Sequence, residues 1–451
     1  MSKSKTNEKK LKIGFGRTKI TPAIPVPLAG YGNTHLRVSE RVVDDLWASC
    51  VAIRDAEDND LLLISQDLVN SVWEKDVRQL LSRETGIPTT HIFLASTHTH
   101  CGPDQNSRAE SILAWKPYYQ NQVLLAAQEA LADLAEGDVF IGKTETENLS
   151  FVRHYLMSDG SYGGDNFGDF VNGTPVRHAR EVDPLLQVIR FDRSEAKKPG
   201  ILMVNWQAHP MWNCRLIWKD LSADYIGTVR DDLEERLGDR FLFFQGAAGD
   251  HSTRSKFPEE VRAKDCKDFG KLLGDCVLRA VKTMKKVDVA PIRVRQMLFE
   301  GKINHSMEDR LKQAREVETL YRKTDRDTGN RLAWEYGFSS VYHSNAILRR
   351  SNYEKIRTME ISAVRIGPLV FVAVPYEMFG SHGSAVKAAS PYESTFVLGY
   401  CNGAYGYIPN QEAYDYGCYE SHTGNFSRET GDELVQAYLT MLLELQNEES
   451  L

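Results

Sequence analysis

In its first half the chain alternates short apolar runs with longer segments whose apolar residues recur at helical spacing. The runs typical of strands are "WASCVAI", "DLLLISQD", "HIFLAST", "PLLQVIRFD", "GILMVNWQAHP" and "RFLFFQGAAGD". Helical spacing marks "NSVWEKDVRQLLSRETG", "PYYQNQVLLAAQEALADLAEG", "DYIGTVRDDLEERLG" and "FGKLLGDCVLRAVKTMKKV", and Gly137 is expected to close the second of these helices. This alternation predicts an α/β fold with large mixed sheets flanked by helices.

The second half begins with a block, Met307 to Arg350, that is charged and mostly helical in pattern. We expect a solvated pair of helices there, with a lid or an oligomer contact as the alternatives. Two strands, "TMEISAVRIG" and "LVFVAVPYE", follow and are expected at sheet edges. An aromatic-rich loop then leads to a last helix, "GDELVQAYLTMLLELQ".

The composition narrows the class of protein. Of the 451 residues, 42% are hydrophobic and 26% are charged, as in a soluble globular protein. The formal net charge of -7 argues against a nucleic-acid partner, which needs clustered Lys and Arg. Because no signal peptide is recognisable and no segment reaches the about 18 apolar residues of a membrane span, we predict a cytoplasmic protein without a transmembrane segment. Seven cysteines without a CxxC pair indicate reduced thiols.

Polar residues collect at the ends of the predicted strands. In "STHTHCGP", His98 and His100 lie two apart, so on an extended segment both side chains point to one face. Such a pair can bind a metal ion together, or one imidazole can bind while the other moves protons. Two hydrogen-bonded loop histidines are the alternative. His209, in "NWQAHP", also follows a buried strand, and taken alone it is better explained as a capped strand end.

Two further strand ends carry either small residues, whose backbone can approach a bound group closely, or a carboxylate that could bind a metal ion. In "QGAAGDHS", the small residues from Gly246 to Gly249 could hold an oxyanion on their amides, or form a tight turn in which Asp250 hydrogen-bonds its own backbone. Ser252 follows. Glu377 comes directly after an apolar run, where burial of its carboxylate needs a partner. The later loop is rich in tyrosine, and most of these rings are expected to pack.

Taken in chain order, these segments resemble the neutral/alkaline (non-lysosomal) ceramidases, specifically their N-terminal catalytic domain and its bacterial relatives. The opening "IGFGRTKITPAIPVPLAGYG" is similar to the start of that domain, and "STHTHCGPD" is similar to its "GTHTHSGP" motif. "NWQAHP" and "LSADYIG" resemble its "NW-x-x-HP" and "S-x-D-x-x-G" pair. "GAAGDHSTR", "VPYE" and "YGYIPNQEAYDYGCYE" stand where the family has "GDVSPN", "PGE" and a tyrosine-rich motif.

The resemblance implies a zinc-dependent amidohydrolase. It places the zinc ligands on His98, His209, Glu377 and Tyr407, and it places His100 and Tyr419 against the substrate carbonyl. Zinc would lower the pKa of a bound water to about 7 and so supply the nucleophile. His100 is then the expected proton shuttle and Tyr419 the expected oxyanion donor. Asp250 and Ser252 are expected to support the site or bind substrate, because zinc makes a serine nucleophile unnecessary.

Some positions depart from the family pattern. Thr253 and Arg254 replace its Pro-Asn pair, and the family's C-terminal β-domain has no counterpart in this sequence. We therefore expect a basic tail over residues 1–11 and one catalytic domain over residues 12–451, with a helical insertion at about 306–350. The expected substrate is a ceramide-like or smaller N-acyl amine. The alternatives are a zinc esterase, lactonase or N-acyl-amino-acid amidase acting on a small soluble substrate, and a non-catalytic metal-binding relative.

Overall fold

The computed structural model describes residues 11–31, 37–164, 173–195, 198–213, 216–289 and 291–447. The basic tail expected at residues 1–11 therefore lies outside the described residues, except for Leu11. Over the described ranges the chain forms helices and strands in the alternation that the sequence predicts. Every described cysteine is a free, buried thiol.

The helices are α1 (Glu74–Thr85), α2 (Glu110–Ala132), α3 (Tyr225–Leu237), α4 (Cys266–Lys282), α5 (Leu311–Lys323), α6 (Arg326–Glu335), α7 (Val341–Arg350), α8 (Gly380–Ala389), α9 (Gln411–Tyr416), α10 (Tyr419–Thr423) and α11 (Thr430–Asn447). The strands are β1 (Lys12–Lys19), β2 (Arg41–Val42), β3 (Trp47–Arg54), β4 (Asp60–Gln66), β5 (Ile92–Ser96), β6 (Ala135–Glu145), β7 (Phe151–Val152), β8 (His154–Met157), β9 (Tyr162–Gly164), β10 (Pro175–His178), β11 (Leu185–Arg193), β12 (Ile201–Trp206), β13 (Asp220–Leu221), β14 (Arg240–Gln245), β15 (His251–Ser252), β16 (Lys285–Val287), β17 (Ile292–Lys302), β18 (Ile356–Ile366), β19 (Leu369–Ala373), β20 (Glu377–Met378), β21 (Ser394–Leu398) and β22 (Tyr407–Ile408).

Two mixed sheets form the centre of the molecule. The larger has nine strands in the order β14-β12-β11-β6-β1-β3-β4-β5, with β16 also paired to β6. The smaller has the order β17-β18-β19-β21. Each sheet has parallel pairs, β4 with β5 and β12 with β14 in the larger and β19 with β21 in the smaller, beside antiparallel ones. The mixed-sheet prediction is confirmed.

The two sheets pack face to face, because alternate residues of each strand are apolar on the shared side. Phe93 and Phe244 of the larger sheet join Phe371 and Phe396 of the smaller in one buried cluster. The outer face of the larger sheet is covered by α1 and α2 at one end and by α3 and α4 at the other. Helices α8 and α11 cover the outer face of the smaller sheet. The result is four layers, with helices outside and sheets inside.

Local signals set the ends of several helices. Asp224 is the N-cap of α3, and its carboxylate accepts the backbone N–H of Tyr225. Gly238 ends the same helix in the left-handed region, with a φ of 71°. Gly86 ends α1 in the same way, with a φ of 77°. Both bounds of α3 and the end of α1 agree with the prediction because these caps are visible in the sequence. The segment predicted for α1 begins at Asn70, whereas the helix begins at Glu74 without a side-chain cap.

The predicted end of α2 at Gly137 is wrong. The helix ends at Ala132, and Gly137 lies within β6, opposite Arg193 of β11. A Cβ added at Gly137 would come 2.7 Å from the carbonyl oxygen of Asp192. The glycine therefore permits close approach of two strands and has no capping role.

The expected places of three other segments also change. Strands β18 and β19 are interior and not edge strands, because β17 and β21 flank them. Strand β17 was not predicted, since its exposed face carries charged residues between the apolar ones. The helix expected to run through "KTMKKV" ends at Lys282, and Lys285–Val287 form β16 instead. The charged block predicted to be helical contains α5, α6 and α7. Among the described residues, no helix has the length and apolar character needed to cross a bilayer.

Candidate active site

The candidate site lies where strands from both sheets end. His98 and His100 follow β5, and His209 follows β12 of the same sheet. Glu377 begins β20, just after β19 of the other sheet, and pairs in register with Tyr407 of β22. All three histidines are buried. The structure thus brings the four predicted metal ligands and His100 to one seam between the sheets.

The backbone at His98 differs from the extended segment that the HxH spacing assumes. Its φ is 69°, in the left-handed region that non-glycine residues seldom adopt. The amide of His98 donates to the carbonyl oxygen of Leu68, and its ring stacks on Tyr400 at 3.9 Å between centroids. The rings of His98 and His100 still lie 4.9 Å apart. The pairing of the two imidazoles is as predicted, but a strained turn produces it and not a strand.

Two of the histidines have their tautomers set by backbone carbonyls. Nδ1 of His98 lies 2.5 Å from the carbonyl oxygen of Val69, and Nδ1 of His209 lies 2.7 Å from that of Ala248. A carbonyl only accepts, so each Nδ1 carries a hydrogen, and the neutral form of such a ring has its lone pair on Nε2. This is the second-sphere arrangement typical of metal-binding histidines.

The bare nitrogens face a carboxylate. Nε2 of His98 is 3.3 Å and Nε2 of His209 is 3.5 Å from the same oxygen of Glu377, Oε2. Among the described residues, neither Nε2 of His209 nor Oε2 of Glu377 has a hydrogen-bond partner. Burial alone would raise the pKa of Glu377, but the adjacent His98 and His209 lower it to about 2. Burial lowers the pKa of His209 to about 4.

These atoms fit a divalent metal ion. Lone pairs that point at one another in a buried space repel unless a cation lies between them, and neither Nε2 of His209 nor Oε2 of Glu377 has another donor among the described residues. The ligand atoms of His98, His100 and His209 all lie within 4.8 Å of one another. Neutral imidazoles with a carboxylate are ligands that zinc and other first-row metals accept.

His100 borders the same space from the other side. Its Nε2 is 3.2 Å from Nε2 of His98, and its Nδ1 has no hydrogen-bond partner among the described residues. Burial, followed by the neighbouring His98 and His209, lowers its pKa well below the ordinary value, so the ring is neutral. Gly30 makes room for the ring, because a Cβ there would come 2.4 Å from Cγ of His100.

The two tyrosines lie on the open side of the site. The rings of Tyr407 and Tyr419 are 5.9 Å apart, and Tyr419 begins α10. Arg153 donates from Nη2 to the hydroxyl of Tyr407 at 3.2 Å. Burial, with the charge of Glu377, raises the pKa of Tyr407 well above its ordinary value. A bound cation acts in the opposite direction and favours the phenolate.

A buried ion pair behind Tyr407 was not predicted. Glu420 accepts from Nε of Arg153 at 2.7 Å and from Nε2 of His154 at 2.9 Å, and all three side chains are buried. Although burial alone would raise the pKa of Glu420, Arg153 and His154 hold it well below its ordinary range. The only signal in the sequence is the pair Arg153-His154 inside the otherwise apolar run "FVRHYLM".

Asp250 and Ser252 lie behind the metal ligands. The carboxylate of Asp250 accepts from Nη2 of Arg180 at 2.9 Å and from the amide of Gly380 at 2.8 Å, and not from its own turn as one alternative assumed. Ser252 forms a β-bridge with His209, and its hydroxyl accepts from the amide of Arg254 at 3.1 Å. Ser252 therefore pairs with the backbone at His209, whereas Asp250 connects its own loop to Arg180 and to the start of α8.

Two amides of the segment Gly246 to Gly249, for which an oxyanion cradle was one of two alternatives, donate to backbone carbonyls and so are not available to an oxyanion. The amide of Gly246 donates to the carbonyl oxygen of Trp206, and the amide of Gly249 donates to that of Met378. The small residues instead allow strands of the two sheets to meet, since a Cβ at Gly249 would come 2.7 Å from the carbonyl oxygen of Glu377.

An open cleft of about 630 Å³ leads to the site. Its walls include Glu377, Tyr407 and Tyr419, together with Trp73, Arg349 and Arg357. A larger hollow of about 900 Å³ is lined by other residues, among them His178 and Phe257. The cleft has the size of a small-molecule site, and its walls are polar and aromatic.

Comparison with known proteins bears on the fold. No protein-family model matches the sequence. No curated protein matches it either. Among solved structures, one described as a ceramidase complexed with C2 matches with a TM-score of 0.72 and 18% sequence identity, covering 97% of this chain and 76% of that chain. The neutral ceramidase from Pseudomonas aeruginosa matches with a TM-score of 0.71 and 18% identity, covering 97% of this chain and 75% of that one. The chain therefore has the fold of the neutral ceramidases. The resemblance found in its sequence is confirmed for the fold.

Proposed function

We propose that this chain is a zinc-dependent amidohydrolase that cleaves an N-acyl amide into a carboxylic acid and an amine. One observation carries the proposal: the bare Nε2 atoms of His98 and His209 face one oxygen of Glu377 at 3.3 and 3.5 Å. Two neutral imidazoles and a carboxylate match the donors of catalytic zinc sites. Ceramide is an N-acyl amide, so the shared fold with ceramidases supports an amide as the bond that is cleaved.

Each residue of the site has a role in this reaction. His98, His209, Glu377 and Tyr407 would hold the ion, which supplies an activated water at about neutral pH when bound. His100 is neutral and borders the same space, so it would take up a proton and pass it to the departing amine. Burial raises the pKa of Tyr419, so the residue keeps its hydroxyl hydrogen. The hydroxyl would donate a hydrogen bond to the carbonyl oxygen as negative charge develops there.

The proposal is tested by metal content and hydrolysis measured on the same preparations. Purified protein is expected to bind about one zinc ion per chain and to hydrolyse N-acyl amides. His98→Ala and His209→Ala are expected to lose both properties, because each removes a nitrogen aimed at Glu377. His100→Ala is expected to retain zinc and lose rate.

A matched control is His305→Ala, which removes a histidine that pairs with Glu308 away from the cleft. It is expected to keep both zinc and activity. Full zinc content and full activity in His98→Ala or His209→Ala would show that the ion is held elsewhere. Comparison of short-chain and long-chain N-acyl substrates then distinguishes a ceramide-like substrate from a smaller one.

A further inference from the structure

The wall of the cleft carries two arginines. Arg349 lies at the end of α7 and Arg357 lies in β18, and both line the cleft together with Tyr419 and Glu377. Asn425 links the two: it accepts from Nε of Arg349 and donates to the carbonyl oxygen of Tyr405, over whose ring Arg357 stacks. Two like charges on one wall are unfavourable unless something else offsets them.

Within the described ranges, no carboxylate pairs with either of them. Arg349 donates from Nε to the amide oxygen of Asn425 at 2.9 Å and from Nη2 to the carbonyl oxygen of Thr423 at 2.6 Å, which are both neutral acceptors. The guanidinium of Arg357 stacks over the rings of Tyr353 and Tyr405, at 4.8 and 4.6 Å from their centroids. Stacking leaves the N–H edge of a guanidinium available to an anion.

The carboxylates that line the cleft are offset by other groups. Asp76 pairs with Lys116 at 2.6 Å, and the charge of Glu377 would be offset by the ion of the proposed site. Glu74 lies 3.8 Å from Arg78, and burial raises its pKa to about 7, so that part of its charge is lost at neutral pH. The arginines therefore leave an excess of positive charge beside the reacting end of the cleft.

We infer that the substrate carries a carboxylate, which Arg357 and Arg349 bind while its amide lies against Tyr419 and Glu377. This inference rests on the amide hydrolysis proposed above and names its substrate class: an N-acylated amino acid or a similar acidic amide. Charge-assisted bonds to a guanidinium are among the strongest polar contacts in proteins. Trp73 and Tyr405 supply aromatic surface for the apolar part of such a molecule.

Hydrolysis of a matched set of substrates tests the specificity. The set shares one short acyl chain and contains an N-acyl amino acid, its methyl ester, the N-acyl ethanolamine and the phosphate ester of that ethanolamine. We expect kcat/KM for the free acid to exceed that for the methyl ester by about tenfold or more, as for charged hydrogen bonds. Arg357→Gln is expected to remove that preference, and Arg357→Lys to restore part of it. Arg322→Gln, at an exposed arginine paired with Glu318, is the control and is expected to change neither rate.

Binding of a hydrolysis-resistant analogue separates this inference from the proposed reaction. In a ketone isostere, a CH₂ group replaces the amide NH, and calorimetry measures binding of the acid and of its methyl ester without turnover. The acid is expected to bind about tenfold more tightly than the ester to the wild type and equally to Arg357→Gln. Equal binding of acid and ester to the wild type, or no binding of the acid, would overturn the inference even if amides are hydrolysed. Preference for the phosphate ester over the acid would overturn the assignment to a carboxylate. Tight, Arg357-dependent binding without hydrolysis of any amide would uphold the inference and reject the reaction.

Discussion

The buried pair of Arg153 and Glu420 allows a quantitative prediction of stability. Glu420→Gln preserves the shape of the side chain but removes the charge that offsets Arg153. The side chains are 2% and 0% exposed, and Glu420 also accepts from Nε2 of His154. Loss of one partner of a buried pair leaves an uncompensated charge and costs about 3–5 kcal/mol. We therefore expect the free energy of unfolding to fall by about that amount.

The assay is equilibrium unfolding in urea, followed by tryptophan fluorescence in the presence of a chelator so that metal binding contributes nothing. Glu318→Gln is the matched control, since it breaks an exposed pair with Arg322 on α5 and is expected to cost at most about 0.5 kcal/mol. A loss in Glu420→Gln no larger than that of this control would refute the reasoning.

The same pair predicts how stability depends on pH. The pKa of Glu420 is held well below its ordinary value of 4.5, so its contribution is fully present above pH 4.5 and is lost as the pH falls below it. The difference in unfolding free energy between wild type and Glu420→Gln should therefore be constant near neutral pH. It should shrink by about 1.4 kcal/mol for each pH unit below 4.5. A difference that grows on acidification would contradict the assigned direction of the shift.

Three further predictions concern the site and the fold. Gly30→Ala is expected to reduce the rate strongly while zinc content is retained. The new Cβ would come 2.4 Å from Cγ of His100, and Gly30 has a φ of 96°, which disfavours alanine. Rate and metal content are measured on one preparation. Tyr407→Phe is expected to weaken metal binding without unfolding the protein, since it removes the hydroxyl that Arg153 contacts and preserves the ring; competition with a chromophoric chelator measures this, and unchanged affinity would remove Tyr407 from the ligand set. Asp224→Ala is expected to lower the unfolding free energy by about 2 kcal/mol or more, because the carboxylate accepts hydrogen bonds from the amides of Trp212, Asn213 and Tyr225. A loss below about 0.5 kcal/mol would show that those amides find other acceptors.

The layered fold was predictable because its signals are local. Apolar runs such as "DLLLISQD" and capped helices such as α3 carry their structure in a few consecutive residues. Strand β17 and the end of α2 were not predicted because each depends on a partner strand. Gly137 allows β11 to approach β6 closely, and it does not end α2. Local periodicity contains no information about such partners.

The same distinction holds for the candidate site. The pairing of His98 with His100 is visible in "THTH", although the turn that produces it is not. Their convergence with Glu377 was expected from their shared position at strand ends and from the order of motifs that resembles a family. Arg153 and Glu420 are 267 residues apart, and neither position suggests the other. Their ion pair depends on the tertiary fold, as do the two arginines of the cleft wall.

The position of the candidate ligands has a consequence for how the protein assembles. His98 and His209 belong to the larger sheet, whereas Glu377 and Tyr407 follow strands of the smaller one. An ion held by all four would join the two halves of the sandwich, so metal uptake and docking of the sheets would be thermodynamically linked. Free metal at a thousand times its dissociation constant would then add about 4 kcal/mol to the folded state. Withdrawal of such an ion would loosen the seam between the sheets first, so the metal would stabilise the fold as well as take part in the reaction.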